Sequence, residues 1–147
     1  MVIIGVGVMA LLQLITAGTM SNTAGTELTT AVNLANNIHE WSLGLAFTNA
    51  TNPTSTTYKD SGGPTAYTYI WDLNGDTYSP PLDVTANPIN MYGSWSQQVT
   101  VSSVDPNNVT AVRPNSVTLP NARITVTITH NGKQIYSASW LVSAPNS

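Results

Sequence analysis

The sequence predicts an α+β chain in which one long N-terminal helix packs on a small antiparallel β head. Three observations carry this. Residues 1–20 hold no charge, and only Gln13 among residues 1–15 has a strongly polar side chain. Residues 28–45 then space their apolar side chains at helical intervals. From residue 67 the period shortens to two and ends in alternating runs joined by Asn131-Gly132.

Val2, Ile3, Ile4, Gly5, Val6, Gly7, Val8, Leu11, Leu12, Leu14 and Ile15 make the first stretch apolar on every side. With the weakly polar residues that follow it reaches 20 uncharged positions, about the number a helix needs to cross a bilayer core. A secretory signal would open with basic residues, and no Lys or Arg precedes Lys59. Residues 16–26, TAGTMSNTAGT, are poor helix formers and the expected weak point of the helix. Beyond them Leu28, Val32, Ala35, Ile38 and Leu45 form one stripe, predicted to pack the helix on the head. The helix is therefore expected over residues 1–47, roughly 70 Å long at 1.5 Å per residue, with part of it projecting from a small domain.

Residues 48–66 read as a loop, crowded with Asn-Pro, Gly-Gly-Pro, Ser and Thr. Residues 67–147 form the head. Strands are expected at Tyr67–Trp71 and Trp95–Val104, and a hairpin at 123–142. Asn131-Gly132 suits a type I′ turn, because both residues accept positive φ. A two-residue loop with regular pairing sets His130 opposite Lys133, Ile128 opposite Ile135, Val126 opposite Ser137 and Ile124 opposite Ser139. The Ile/Val face is then expected to take the helix, with the serines leaving it room.

Composition limits function. The chain has 147 residues, four basic and seven acidic, with a net charge of −3. Nucleic-acid binding needs clustered Lys and Arg, so no nucleic acid is expected as partner. There is no cysteine, which removes disulfides and thiolate chemistry. No Gly-x-Ser-x-Gly elbow is present, and His39 and His130 read as surface or packing residues, so no catalytic residue is expected. Asp72, Asn74, Asp76 and Asp83 resemble part of a calcium loop, with oxygen ligands at alternate positions. DLNGD is equally an ordinary turn sequence, and no other cofactor is expected. Asn49-Ala-Thr51 and Asn108-Val-Thr110 match the N-glycosylation acceptor pattern. Thr54 and Ser55 in the neighbouring tract are candidates for sugars on hydroxyls. Trp71, Trp95, Tyr67, Tyr69 and Tyr78 would make either an adhesive, sugar-binding surface or a core; aromatics on strands more often form core.

The opening MVIIGVGVMALL and the amphipathic Ala31–Glu40 run resemble the N-terminal helices of type IV pilins and type II secretion pseudopilins. Family members carry a Glu at the fifth mature position, whereas position 5 here is Gly5 and the first acid is Glu27. Either Met1 falls well inside the mature helix, or the subunit lacks that Glu. The resemblance implies a structural subunit that waits in the cytoplasmic membrane through residues 1–20. Assembly machinery extracts it, and it bundles with copies of itself into an extracellular filament. Gly5 and Gly7 would let helices approach closely, and residues 16–26 would lose helicity on assembly. Glu27 and Glu40 would then be free to meet a neighbour's Lys59, Arg113 or Arg123. The alternative is a single-helix, membrane-anchored binding module that never polymerises.

Overall fold

In the computed structural model the residues described with their side chains are 22–145. Helix α1 spans Val2–Leu43, and its side chains are described from Asn22 onward. Five antiparallel strands follow: β1 (Thr77–Tyr78), β2 (Trp95–Asp105), β3 (Asn108–Val112), β4 (Asn121–His130) and β5 (Lys133–Ser143). They form one sheet in the order β1-β2-β4-β5, with β3 folded back on the far end of β2. The α+β class therefore stands.

Helix α1 lies across one face of this sheet. Ala31, Leu34, Ala35 and Ile38 are buried against Val99, Val101, Ile124, Val126 and Ile128. The packed stripe is rotated from the expected one. Ala35 and Ile38 belong to both, but Leu28 is 48 % exposed and Val32 only partly buried. Leu45 lies beyond the helix end and packs on the rim of the core. The rotation follows from the small residues, since Ala31 and Ala35 let the helix axis approach the sheet more closely than Leu28 and Val32 would. Thr26 and Thr29 donate their hydroxyls to the carbonyls of Asn22 (3.0 Å) and Gly25 (2.9 Å), four residues back. That satisfies hydroxyls on an exposed helix surface that the head does not cover.

Residues 67–71 do not form the expected strand. Tyr69 makes one parallel bridge to Ala46, and the chain then turns into a 3-10 helix at Ile70–Leu73. The alternation serves a tightly packed corner instead: Tyr69, Ile70, Trp71 and Leu73 are all buried.

The terminal hairpin is present, with Asn131 and Gly132 at φ 50 and 78 as a type I′ turn requires. Its register is not the expected one. His130 pairs with Lys133 and Thr129 with Gln134, but a bulge at Ile128/Thr129 absorbs Ile135. Beyond it Ile128 faces Tyr136, Val126 faces Ala138 and Ile124 faces Trp140. One extra residue reverses the faces of a strand. The aromatics thus join the Ile/Val face under the helix, while Ser139 and Ser137 meet Thr125 and Thr127 on the outer face. The expected serine-lined groove under the helix is replaced by Tyr136, Ala138 and Trp140.

Candidate functional site: the helix–head junction

The helix is held to the head at three levels. At the top, Glu27 Oε1 lies 2.8 Å from His130 Nδ1. The His130 ring stacks on Trp95, with centroids 4.2 Å apart and planes 7° from parallel. In the middle, the Gln97 carboxamide donates to Leu34 O (2.8 Å) and Leu82 O (3.1 Å) and accepts from Leu82 N (2.7 Å). At the bottom, Trp140 Nε1 donates to Ser42 Oγ (3.2 Å), and its ring meets His39 edge-on at 4.9 Å. From residue 27 to residue 42 this covers roughly 22 Å of helix at 1.5 Å per residue. The three clamps fix rotation, height and tilt of α1 on the sheet, which apolar packing alone would leave loosely specified.

Above the top clamp a cleft of about 520 Å³ opens between helix and head, lined by Asn22, Thr23, Thr26, Glu27, Thr30, Trp95 and His130. Its chemistry is hydroxyls, one amide and a carboxylate–imidazole pair, which suits polar contacts. Among the described residues no serine hydroxyl is hydrogen-bonded to either imidazole, so neither histidine sits in a Ser–His arrangement.

The second polar centre orders the loop of residues 48–68. Asp72 is fully buried and accepts from the backbone N–H groups of Asp60 (2.8 Å), Thr68 (3.1 Å) and Tyr69 (3.3 Å). Burial raises its pKa, while those N–H groups pull the other way. Asp60 beside it is held low, chiefly by the Thr68 hydroxyl. Asn49 is buried and donates to Asp60 Oδ1 (2.9 Å) while its own oxygen takes the N–H of Thr51 and Asn52. Lys59 pairs with Asp76, whose other oxygen receives the hydroxyls of Tyr67 (2.9 Å) and Tyr78 (3.0 Å). Burial pushes the Tyr67 and Tyr78 phenols well up and Tyr69 up to about 12. Trp71 Nε1 is buried with no hydrogen-bond partner among the described residues.

The four residues expected to hold calcium are thus engaged separately. Asp72 serves the backbone nest and Asp76 serves Lys59 and two tyrosines. Asn74 Oδ1 accepts from Val101 N (2.9 Å), and Asp83 Oδ1 caps its own turn at Thr85 and Asn87. No group of three or more His, Asp or Glu able to hold a metal occurs among the described residues. The five aromatics do not make an adhesive surface: Tyr69, Trp71, Tyr78 and Trp95 are buried, and Tyr67 stacks on Trp41 at their edge.

The two N-glycosylation acceptor patterns separate cleanly. Asn49 has both carboxamide atoms committed inside the loop. Asn108 is exposed, with its oxygen accepting from Thr110 Oγ1 (2.6 Å) and its nitrogen in no hydrogen bond among the described residues. Any N-glycan should therefore map to the peptide containing Asn108 and not to that containing Asn49. Peptide mass spectrometry of the protein from its source cells checks this, and sugar on Asn49 would contradict the buried loop. Thr54 and Thr51 are exposed and Ser55 partly so. The expected filament-core residues, Val2 to Ile15, lie outside the described residues. Sequence reasoning missed Gln97, Ser42 and Asp60. None has a sequence signal, because Gln97 acts through Leu34, Ser42 through Trp140 and Asp60 through Asn49 and Thr68, all on other segments of the chain.

No protein-family model, no curated protein and no solved structure matches the chain.

Proposed function

We propose that this chain is the structural subunit of a type IV pilus-like filament. One observation carries the reading most. A helix of 42 residues is tied to its β head by the Glu27–His130 pair and by buried packing from Ala31 onward, its residues 22–26 are exposed, and the sequence before Glu27 is uncharged. A helix built to serve the head alone would need only residues 27–43. The first 20 residues then anchor the subunit in the cytoplasmic membrane before assembly and form the filament core afterwards, among copies of itself. Assembly machinery moves it from one setting to the other. In lipid and in a helix bundle the apolar side chains lose little to either surrounding, so close packing at Gly5 and Gly7 supplies the preference for the bundle. The finished filament lies outside the cell with the β heads on its surface. Among the described residues no helix is long and apolar enough to cross a membrane, and the anchor run lies outside them.

The three clamps support this reading. A filament transmits load from helix to head, and a rigid junction prevents the head from swinging on the shaft. In the assembled state residues 16–26 lose helicity. The stretch is rich in Thr and Gly, and Thr23, Gly25 and Thr26 lie on an exposed part of the helix.

Electron microscopy of material sheared from the source cells, with mass spectrometry of the same fraction, tests the proposal. Thin filaments with this chain as a principal component are expected. If the chain stays wholly with the membrane fraction and no filament contains it, the anchored binding module replaces the filament subunit. A filament reconstruction showing helix throughout 16–26 would overturn the unwinding.

A further inference from the structure

Charge is scarce in this chain, and the fold uses nearly all of it internally. Lys59 pairs with Asp76 and Arg113 with Asp105. Asp60, Asp72 and Asp83 accept hydrogen bonds from nearby N–H groups, and Glu27 holds His130. Arg123 donates to Thr110 O (3.3 Å). Two side chains stand apart. Lys133 is exposed, and its ammonium has no partner among the described residues. Glu40 is 61 % exposed, and its one neighbour is His39 Nδ1 at 3.6 Å, an imidazole that is charged only when protonated.

These two opposite charges sit at opposite ends of the junction. Lys133 pairs in register with His130, which binds Glu27, so it lies level with the top clamp. Glu40 comes thirteen residues after Glu27, roughly 20 Å further along the helix at 1.5 Å per residue. It lies on the outward stripe Thr29, Asn33, Asn36, Glu40 and Leu43, all exposed. Glu40 is the only charge on that stripe. Within one chain the two groups are too far apart to meet. A second copy displaced along the helix direction brings them together.

We infer that Lys133 of one copy pairs with Glu40 of the next, so that the β4–β5 turn of each head docks on the outward face of its neighbour's helix. The partner is a second copy of this chain, and the inference rests on the filament reading. With the copies displaced along the helix direction each contact uses one Lys133–Glu40 pair and leaves the other two groups free, so it is heterologous and propagates; a two-fold dimer would instead form both pairs at once. It also replaces Lys59, Arg113 and Arg123 as the expected neighbours of Glu40, because each of those is already engaged in its own head. An exposed ion pair adds little affinity by itself. Its role is register, since a misplaced neighbour leaves both charges unpaired or sets like charges together.

The absence of cysteine makes a direct test available. The double variant Glu40→Cys, Lys133→Cys is expressed in the source cells, oxidised mildly and run without reductant. A disulfide needs Cα atoms within about 7 Å, so a covalent ladder of dimers, trimers and higher species is expected only where the two positions face each other closely across this contact, and charge reversal reads a pairing that the longer Lys and Glu side chains make from further away. Each single-cysteine variant should stop at dimers or remain monomeric. Charge reversal is the second arm. Glu40→Lys and Lys133→Glu should each lower sheared filament yield by about tenfold, and the two together should restore it to within about twofold of the parent. Wild-type filaments without a ladder and without charge rescue would overturn the pairing while leaving the filament reading intact. A wild type that makes no filament would overturn both.

Discussion

Replacing Gln97 with Ala is expected to destabilise the head by about 3–5 kcal/mol, one of the two largest effects of any single polar substitution. Gln97 is fully buried on β2, and its carboxamide holds two elements at once. It takes the N–H of Leu82, returns a hydrogen bond to the Leu82 carbonyl and reaches Leu34 O on the helix. Truncation leaves the Leu82 N–H buried without a partner and opens a cavity beneath α1. Each orphaned group costs about 1–3 kcal/mol, and the lost methylenes add to it. Gln97→Leu fills the space but still orphans the Leu82 N–H, so it should recover only part of the loss. Urea denaturation of the full chain in detergent gives the comparison. A change under about 1 kcal/mol in Gln97→Ala would mean that water replaces the carboxamide and that the middle clamp is not structural.

Replacing Asp72 with Ala should cost about 3–5 kcal/mol, through a different route. Three backbone N–H groups, from Asp60, Thr68 and Tyr69, converge on this one buried carboxylate. Without it the loop of residues 48–68 loses its tie to the core, and limited proteolysis should cut there first. Asp72→Asn keeps one acceptor oxygen and should lose about half as much, because fewer N–H groups are orphaned. The pH dependence has a definite sign. Asp60, Asp83 and Asp105 are held below the ordinary 3.8 by hydrogen bonds, with Arg113 as the main cause at Asp105. Their contribution is present above the unfolded value and is lost as pH falls through their lowered folded values. Asp72 is raised by burial, so its contribution is greatest when protonated and is lost as pH rises through its folded value. Three groups oppose one, and the urea midpoint should fall as pH drops below about 4. Asp83→Asn should flatten that fall. A midpoint that rises toward pH 3 would show that Asp72 dominates.

Much of the head could be read from residue patterns because those patterns act locally. The Asn131-Gly132 turn, strand β2 and the helix depend on neighbouring residues, and each was legible. The register of β5 was not. Nothing in Lys133–Tyr136 announces a bulge; it arises because burying Tyr136 and Trp140 with Ile124 and Ile128 releases more apolar surface from water than burying serines would. Residues 67–71 misled for a related reason. Aromatic alternation reports burial on a pleated surface, and a packed corner buries Tyr69 and Trp71 just as fully.

The candidate junction was half visible. Ala35 and Ile38 were expected to face the head, and they do. The clamps were invisible, since Glu27 and His130 are 103 residues apart and Leu34 and Gln97 are 63 apart. What the sequence determined by itself was the set of elements and their order: a long helix, a polar loop and antiparallel strands closing on an Asn-Gly turn. Periodicity and turn chemistry are short-range, so they survive without a third dimension. Only the tertiary structure decided which helix face packs, which strand face turns inward and which charges remain unpaired. Those depend on the sum of burial and hydrogen bonding across elements distant in the chain, and no local pattern records that sum.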